Sequence, residues 1–378
     1  MFDASPDQGP LYQQVKRTLL DAITRQEYQP GQPFITLREA CQRFNCSTTT
    51  ALKAIGELVN EGWLVRVRGK GTFVAERSAR PAAPAGRDET TVACIVPYLE
   101  SPHVNKILRG VEAVCAQRGY RMYLTHTDRS VERENQALRQ AVSSGAGGVL
   151  LYPAERGATP AVLGELRHAG LPVVLVDRYR PDVATDTVVA DNFAVGHALT
   201  EELIRHGHER IALLWSEPYC TSAQDRLSGH LRALTEHELP MIPQLTVLRP
   251  HTDPDDAARR AALAALLDSP QPPTALICSH GHMLATAAQD LLTLGVAIPE
   301  QVDLAATDDA GPVDLLLLAS IAASLPSEEM GVRGMGLLAD RIESADPWAE
   351  QRMIQLPIEV RTRDSGKAQA RIVGSQAR

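Results

Sequence analysis

Basic and hydroxyl side chains are grouped between positions 38 and 70 of the chain. Guanidinium, ammonium and hydroxyl groups contact phosphate oxygens and base edges in DNA complexes, and glycine lets the backbone approach closely. The candidate DNA-binding residues are Arg38, Ser47, Thr48, Thr49, Thr50, Lys53, Arg66, Arg68, Gly69 and Lys70. Their chemistry is equally that of an ordinary solvated surface, so the elements that carry them must decide between the two.

Those elements follow one another in a recognisable order. Thr36 and Ser47 each precede a helical apolar pattern, where a hydroxyl can cap a free backbone N–H. Only residues 45–46 separate the two helices, so the second must turn across the first. Residues 63–66 and 72–74 then favour short strands, and Gly69-Lys70-Gly71 suits the tight turn between them. Two short helices followed by a basic hairpin predict a winged helix-turn-helix that binds a double-stranded DNA operator.

Several motifs in this region match a known family. They are Leu11-Tyr12-x-Gln14-Val15, Gln29-Pro30-Gly31, Arg38-Glu39, Ser47-x-x-Thr50, Leu58-x-x-Glu61-Gly62 and Arg68-Gly69-Lys70-Gly71-Thr72-Phe73-Val74. Over residues 10–76 the chain resembles the GntR family of bacterial transcription regulators. It departs from that family at two positions, since Thr48 and Leu52 stand where DNA-contacting arginines are common.

The charge distribution fits a DNA-binding N-terminal part. The whole chain of 378 residues has a net charge of −8, but residues 1–80 hold 11 Lys/Arg against 8 Asp/Glu, and the remainder holds 27 against 38. The DNA-binding motifs therefore lie in the mildly basic part. An acidic remainder discourages nonspecific binding to nucleic acid elsewhere.

From residue 91 onward, apolar strands alternate with amphipathic helices. Strands are predicted at 92–96, 121–125, 148–152, 172–177, 211–215, 244–248, 275–278 and 302–306, and helices at 104–118, 132–143, 192–206, 222–237, 254–268 and 283–294. Continuous apolar strands between helices indicate parallel sheets covered on both faces, whose ligands bind at the carboxyl ends of the strands. The predicted fold class is α/β: an N-terminal winged helix-turn-helix followed by two doubly wound lobes.

A second resemblance covers residues 91–365. Its motifs are Ser101-Pro-His-x-x-x-Ile-Leu-Arg-Gly-Val-Glu112, Leu175-Val-Asp-Arg178, Val189-Ala-Asp-Asn-Phe193, His206-Gly-His-Glu-Arg-Ile-Ala212, Arg226-Leu-x-Gly229, Val302-Asp-Leu-Ala-Ala-Thr-Asp-Asp309 and Glu329-Met-Gly331. They are similar to the effector domains of LacI-type repressors, which have the type I periplasmic-binding-protein fold. A GntR-like head on a LacI-like body is the arrangement of arabinose-repressor-type regulators.

The resemblance implies a division into domains. The DNA-binding domain takes residues 1–76, a linker 77–90, the effector and dimerisation domain 91–365, and a tail 366–378. The first lobe is expected over 91–190 and 325–347, and the second over 191–324 and 348–365. The chain should cross between them near Val189, Ser324 and Trp348.

The resemblance also implies where an effector binds, in loops at the strand ends that include 98–103 and 215–217. The implied effector-binding residues are His103, Asp177, Arg178, Asp191, Trp215, Arg226, His280 and Asp308. Arg226 and Asp308 offer a donor fork and an acceptor, which suits a polyhydroxylated ligand such as a sugar. His280-Gly281 departs from the Asn-Asp common in the family, so the effector need not be a usual hexose or pentose.

No catalytic residue, metal site or cofactor is predicted. The chain lacks the G-x-S-x-G, Walker A and G-x-G-x-x-G motifs, and the His-x-His spacings at 206–208 and 280–282 are not accompanied by a Cys pair of the C-x-x-C kind. Six scattered Cys suit reduced thiols in the cytoplasm. Neither a signal peptide nor an apolar run of about 18 residues is present, so no membrane partner is expected.

Two other functions compete with regulation. An aminotransferase-like body would need a Schiff-base lysine, and residues 91–365 contain only Lys106. A solute-binding protein for uptake shares the second fold but would not carry a DNA-binding head. The favoured interpretation is an effector-responsive regulator, most simply a repressor, that binds a symmetric operator as a homodimer.

Overall fold

The computed structural model describes residues 11–24, 27–29, 31–60, 63–67, 71–75, 90–309, 318–344, 350–364 and 367–373. Their strands form a two-stranded, a six-stranded and a seven-stranded sheet. We call residues 11–75 the head, the elements around the six-stranded sheet the first lobe, and those around the seven-stranded sheet the second lobe.

The head contains three helices and a hairpin: α1 (Leu11–Thr24), α2 (Leu37–Phe44), α3 (Thr48–Asn60), β1 (Leu64–Val67) and β2 (Gly71–Val74). Thr36 begins α2 with a capping box, since Thr36 Oγ1 accepts the Glu39 N–H while the Glu39 carboxylate accepts the Thr36 N–H. Leu19 of α1 and Ile55 of α3 are buried in one apolar cluster. The strands β1 and β2 pair antiparallel, as a wing requires.

The first lobe is a parallel sheet of order β13-β7-β6-β5-β3-β4. Its strands are β3 (Thr90–Val96), β4 (Tyr120–His126), β5 (Val149–Leu151), β6 (Val173–Val176), β7 (Asp186–Ala190) and β13 (Met353–Leu356). Its helices are α4 (Pro102–Arg118), α5 (Val131–Ser143), α6 (Pro160–His168) and α11 (Ser327–Glu343). Leu150 and Val174 are fully covered because helices pack on both faces of the sheet.

The second lobe has the order β15-β14-β12-β11-β10-β8-β9. Its strands are β8 (Ile211–Trp215), β9 (Leu248–Pro250), β10 (Ala275–Cys278), β11 (Asp303–Ala306), β12 (Ile321–Ser324), β14 (Ile358–Asp364) and β15 (Lys367–Val373). Its helices are α7 (Asn192–Arg205), α8 (Thr221–Glu236), α9 (Asp256–Leu267) and α10 (Gly281–Thr293). Pairing is parallel from β12 to β9, whereas β14 and β15 join antiparallel.

Over the residues that the structure describes, the chain passes between the two sheets three times. It leaves the first lobe after β7, returns to it between β12 and α11, and leaves it finally at Pro357, between β13 and β14. The first two passages lie beside the predicted crossings at Val189 and Ser324. The third prediction was wrong: β13 pairs with β7, so the first lobe extends beyond Trp348, which itself lies outside the described residues.

Two further sequence interpretations need correction. The strand predicted at 244–248 is instead β9 at Leu248–Pro250, because residues before it form an irregular segment with Leu245 packed into the core. The predicted tail at 366–378 contains β15, whose register with β14 runs from Ile358–Val373 to Asp364–Lys367. A hairpin at the sheet edge therefore ends the described chain.

Glycines set the separation of one helix pair in each lobe. A Cβ on Gly110 of α4 would meet the carbonyl oxygen of Glu328 on α11, and one on Gly229 of α8 would meet the carbonyl oxygen of Phe193 on α7. The helix backbones touch at these points, where no side chain fits. This close packing fixes the helices that carry His103 and Arg226 on the two lobes.

Candidate DNA-binding surface and effector cleft

The head exposes a set of the predicted DNA-binding side chains. Arg38, Thr48, Thr49 and Arg66 are exposed. Ser47 has a structural role, since its Oγ accepts the Thr50 N–H at 3.2 Å and so caps α3. Lys53 is exposed too, although its Nζ lies 3.7 Å from the centroid of the Tyr12 ring on α1. The positions Arg68, Gly69 and Lys70 lie outside the described residues.

Leu52 is one of the two positions at which the chain departs from the GntR pattern. Its side chain is 45% exposed on α3, in the helix that also presents Thr48 and Thr49. An exposed leucine at a DNA-facing position can contact thymine methyl groups but supplies no hydrogen bond. The head thus offers hydroxyls and an apolar side chain where arginines are common.

In the first lobe, a buried ion pair lies at the carboxyl ends of the strands. His103 Nε2 lies 2.9 Å from Asp177 Oδ1, and His103 Nδ1 lies 2.7 Å from Ser327 Oγ. Burial opposes charge on both groups, but each is the other's counterion: the pKa of His103 is raised and the pKa of Asp177 is lowered. Asp177 also has φ 68, a left-handed conformation unusual outside glycine, which turns its carboxylate toward His103.

Arg178, the next residue, reaches across to the second lobe. Its Nη2 donates to Glu217 Oε2 at 2.7 Å and its Nη1 to Glu217 Oε1 at 3.4 Å, while Nη1 also donates to the Pro153 carbonyl at 3.1 Å. The guanidinium carbon lies 5.1 Å from the centroid of the Tyr152 ring. Both charged side chains are nearly buried. The two hydrogen bonds of this ion pair therefore connect the lobes in a region of low dielectric, where charge-assisted bonds are strong.

Arg226 is the centre of the second lobe's side of the cleft. It lies on α8, with Nε donating to Asn192 Oδ1 at 2.8 Å and Nη1 to Thr307 Oγ1 at 2.8 Å. Thr307 in turn donates to the Ser279 carbonyl at 2.6 Å. The guanidinium is therefore held in one orientation at the ends of β10 and β11, beside the buried Asp308.

His280 lies at the start of α10 in its neutral form. Its Nδ1 accepts the Met283 N–H at 3.2 Å, which leaves the proton on Nε2, 3.1 Å from Ser216 Oγ. Burial, followed by the neighbouring His282, lowers the pKa of His280 to about 4. A neutral imidazole with a fixed tautomer is a directional hydrogen-bond group, whereas the family's Asn-Asp would bring an acid.

The remaining two candidates support the walls of the cleft. Asp191 Oδ1 accepts the Ala194 N–H at 2.9 Å and caps α7. Trp215 is 3% exposed and packs in the hydrophobic core. Strand-end position alone could not separate such structural side chains from those that face the cleft.

The polar groups of the two lobes face the same space. Asp308 and Arg226 of the second lobe act on the pKa of His103 in the first lobe, Asp308 raising it and Arg226 lowering it. Beside this cleft, a cavity of about 540 Å³ is lined by Glu155, Arg156 and Arg180 from one lobe and by Tyr219 and Gln224 from the other. Carboxylate acceptors and guanidinium donors from both lobes thus face one space, an arrangement suited to a small polar ligand with several hydroxyls.

Sequence patterns did not identify three contributors to the site. Tyr152 follows β5 and is among the groups that lower the pKa of Asp177, while Ser279 and Thr307 follow β10 and β11 and accept hydrogen bonds from Arg226. Each lies at a strand's carboxyl end, the position where parallel sheets bind ligands. That position was the available signal for all three.

Comparison with known proteins identifies the larger part of the chain. Residues 89–333 match the model for periplasmic binding proteins and sugar binding domain of LacI family. The chain belongs to this LacI-type family. Residues 11–74 match the bacterial regulatory proteins of the gntR family, so both resemblances and the predicted fold class are confirmed.

Similar proteins match either most of this chain or about three quarters of it. An arabinose metabolism transcriptional repressor from Geobacillus stearothermophilus is 27% identical over 88% of this chain and 92% of its own length. Among solved structures, the transcription regulator CcpA of Lactococcus lactis superposes with a TM-score of 0.65 at 23% identity, over 74% of this chain and 100% of that one. A LacI family regulator from Enterococcus faecium with bound ribose gives 0.59 at 23%, over 71% and 96%.

Neither a membrane-spanning helix nor a metal-binding cluster occurs in the described ranges. No helix within them is long and apolar enough to cross a membrane. The same ranges contain no group of three or more His, Cys, Asp or Glu side chains placed to hold a metal ion.

Proposed function

We propose that this protein is a bacterial transcriptional repressor whose affinity for operator DNA is controlled by a polar small molecule bound between the two lobes. The observation that carries the proposal is the presence, in one chain, of a winged helix-turn-helix and a two-lobed cleft lined by fixed donors and acceptors. The repressor names of the relatives support the same function. A transcriptional role, rather than catalysis, also fits a cleft whose polar groups are held in structural hydrogen bonds.

The effector contacts are assigned to His103, Asp177, Arg178, Arg226, His280 and Asp308. Arg226 and Asp308 supply a fork of donors and an acceptor from the second lobe, and the His103–Asp177 pair supplies polar atoms from the first. A ligand held by both lobes binds the closed arrangement better than the open one, and only such unequal affinity can shift the equilibrium. A pentose, hexose or related polyol is the class that this lining fits best, in keeping with the arabinose repressor and the ribose-bound structure among the similar proteins.

The DNA contacts are assigned to Arg38 and the exposed hydroxyls at the start of α3, with Arg66 on the wing strand. Two heads are needed, because one winged helix covers too few base pairs for a specific site, so the active form is a homodimer in the cytoplasm. Closure of the cleft changes the separation of the heads and thereby the affinity for a symmetric operator.

The DNA-binding part is tested with a duplex selected from a random library by the full chain. Arg66→Gln should weaken binding of that duplex and of unrelated duplexes alike, and should lower the slope of log affinity against log salt by about one for each phosphate that is no longer neutralised. Arg43→Gln is the matched control, because Arg43 is already engaged by Tyr28 and Glu27. An unchanged slope for Arg66→Gln would place the wing away from DNA.

The effector part is tested by a thermal-shift screen of the full chain against pentoses, hexoses, polyols and their phosphates. A ligand that binds only the folded state raises the melting temperature by mass action. We expect a hit that also changes the affinity for the selected duplex. A hit without any effect on duplex binding would instead favour a binding protein with no regulatory role.

A further inference from the structure

Two cysteines lie in the turn between the helices of the head. Helix α2 ends at Phe44 and is capped by Asn45, which has φ 46. The Asn45 N–H donates to the Cys41 carbonyl, and the Cys46 N–H donates to the same oxygen at 3.2 Å. In a helix end of this kind, the side chains at the positions of Cys41 and Cys46 come into contact. Here both side chains pack against the apolar cluster of the head, and Cys41 is close enough to act on the pKa of Cys46.

These two thiols differ from the other four. Cys41 and Cys46 are partly exposed, whereas Cys94, Cys115, Cys220 and Cys278 are buried. Burial raises the pKa of Cys94 and Cys278 to about 12 and that of Cys115 to about 11. Cys94 and Cys115 are also neighbours, but both are in the core, where an oxidant in solution cannot reach them.

We propose that Cys41 and Cys46 are a redox modification site: a hydroperoxide converts them to an intramolecular disulfide, which weakens the binding of DNA by the head. The Cys41 sulfur attacks one oxygen of the peroxide, the S–O bond forms, the O–O bond breaks and the leaving alkoxide takes a proton, so that Cys41–SH and ROOH give Cys41–SOH and ROH. The Cys46 thiol then attacks that sulfur, the S–O bond breaks, the S–S bond forms, and water leaves. The hydroperoxide accepts both electrons, and a dithiol reverses the reaction by thiol–disulfide exchange.

Both thiols are partly exposed, so a peroxide in solution can reach either of them. The thiolate is the reactive form, and burial, followed by the neighbouring Cys41, raises the pKa of Cys46, which favours Cys41 as the first nucleophile. The same disulfide forms in either order. The short turn makes that second step intramolecular.

The disulfide must move the part of α3 that faces DNA. A disulfide bond is about 2.05 Å long, shorter than any contact between two thiols. Cys46 directly precedes Ser47, whose hydroxyl caps α3, and Cys41 Sγ already lies 3.9 Å from Thr48 Oγ1. Forming the bond pulls the first turn of α3 toward α2. The effect on DNA rests on the proposed function, but the disulfide itself does not.

The disulfide is tested by mass spectrometry on the full chain. After treatment with hydrogen peroxide and blocking with iodoacetamide, trypsin cleaves at Arg38, Arg43 and Lys53 and separates the two cysteines. We expect peptide 39–43 to be joined to peptide 44–53, and dithiothreitol to release them. Cys41→Ser and Cys46→Ser should each remove the joined species, and Cys115→Ala should keep it. Absence of the joined peptides from wild type overturns the proposal.

The effect on DNA is tested with the duplex selected by the reduced full chain. Oxidation should weaken its binding about tenfold or more, as expected when a recognition helix no longer reaches its base edges, and dithiothreitol should restore it. Peroxide should leave the duplex affinity of Cys41→Ser unchanged. If the joined peptides form but the oxidised wild type binds the duplex as tightly as the reduced protein, the disulfide does not control DNA binding and that part of the proposal is overturned. If the reduced chain selects no duplex, the proposed function is overturned instead. The mass-spectrometric detection of joined peptides would still show whether the disulfide forms.

Discussion

Replacing Glu217 with glutamine should loosen the contact between the two lobes. Arg178 and Glu217 form a two-pronged ion pair across the cleft, with side chains only 6% and 11% exposed. Glutamine keeps the size and one acceptor but loses the charge, so Arg178 stays in a nearly dry place with a weaker counterpart. When the lobes separate, water solvates that guanidinium, and the change therefore favours the open arrangement.

The magnitude follows from the burial of the pair. Removing one partner of a buried ion pair costs about 3–5 kcal/mol, and the hydrogen bond that glutamine can still accept returns about 1 kcal/mol. The net cost is about 2–4 kcal/mol, which shifts the equilibrium between closed and open lobes by about 30-fold to 1,000-fold.

Hydrogen exchange measures this equilibrium directly. The Tyr179 N–H donates to Thr221 Oγ1 at 3.1 Å, a bond from the first lobe to the second that opening must break. Exchange at Tyr179 should accelerate by the same factor in Glu217→Gln. Glu155→Gln is the matched control, because Glu155 also reaches across the lobes, to the Tyr219 N–H at 2.9 Å, but in an exposed position. Unchanged exchange at Tyr179 in Glu217→Gln, or equal acceleration in both variants, would refute the reasoning.

Three more predictions concern other parts of the molecule. Thr36→Ala removes the capping box of α2 and should destabilise the head by about 1 kcal/mol in urea unfolding, whereas no loss would mean that the cap is unimportant. Gly229→Ala should lower the melting temperature because its Cβ meets the Phe193 carbonyl, while Gly336→Ala, which meets nothing within 4 Å, should not; equal melting temperatures would contradict the close packing. Burial lowers the pKa of His230 to about 4. Between about pH 6.5 and that value, the imidazole is protonated in the unfolded chain but stays neutral in the folded chain. Stability should therefore fall from about pH 6.5 to about pH 4, by at most about 1.4 kcal/mol per pH unit, and His230→Gln should flatten this slope in melting curves; an identical slope in the variant would exclude His230 as its source.

Sequence patterns predicted the elements whose local and tertiary preferences agree. Helix α3 was predicted because the cap at Ser47 and the helical spacing of apolar residues agree. Strand β10 was predicted because Ala275–Cys278 is a continuous apolar run that is also buried. Strand β13 was missed because its burial is incomplete and only its pairing with β7 makes it a strand. The hairpin of β14 and β15 was missed because its strands are defined by antiparallel pairing with β12 and with each other.

The site was predictable in its position more than in its contacts. The resemblance to LacI-type effector domains implied Asp177, Arg226 and Asp308, and parallel strands bring the ends that carry Asp177 and Asp308 to one edge. Which partner each side chain takes depends on elements distant in the chain: the Arg178–Glu217 fork and the His103–Ser327 contact join residues that no local pattern relates. Trp215 shows the converse, since polar residues follow it at 216 and 217 but its own side chain packs in the core.

The response of duplex binding to effector, measured in wild type and in Arg226→Lys, tests the central claim most directly. Lysine keeps the charge but cannot donate in a fork to Asn192 and Thr307 while also holding a ligand. Arg232→Lys is the control, because Arg232 lies on the same helix, exposed and paired with Glu236. We predict that Arg226→Lys needs at least about tenfold more effector for the half-maximal change in duplex affinity, and that Arg232→Lys responds like wild type. An Arg226→Lys response equal to wild type would contradict the placement of the effector between the lobes.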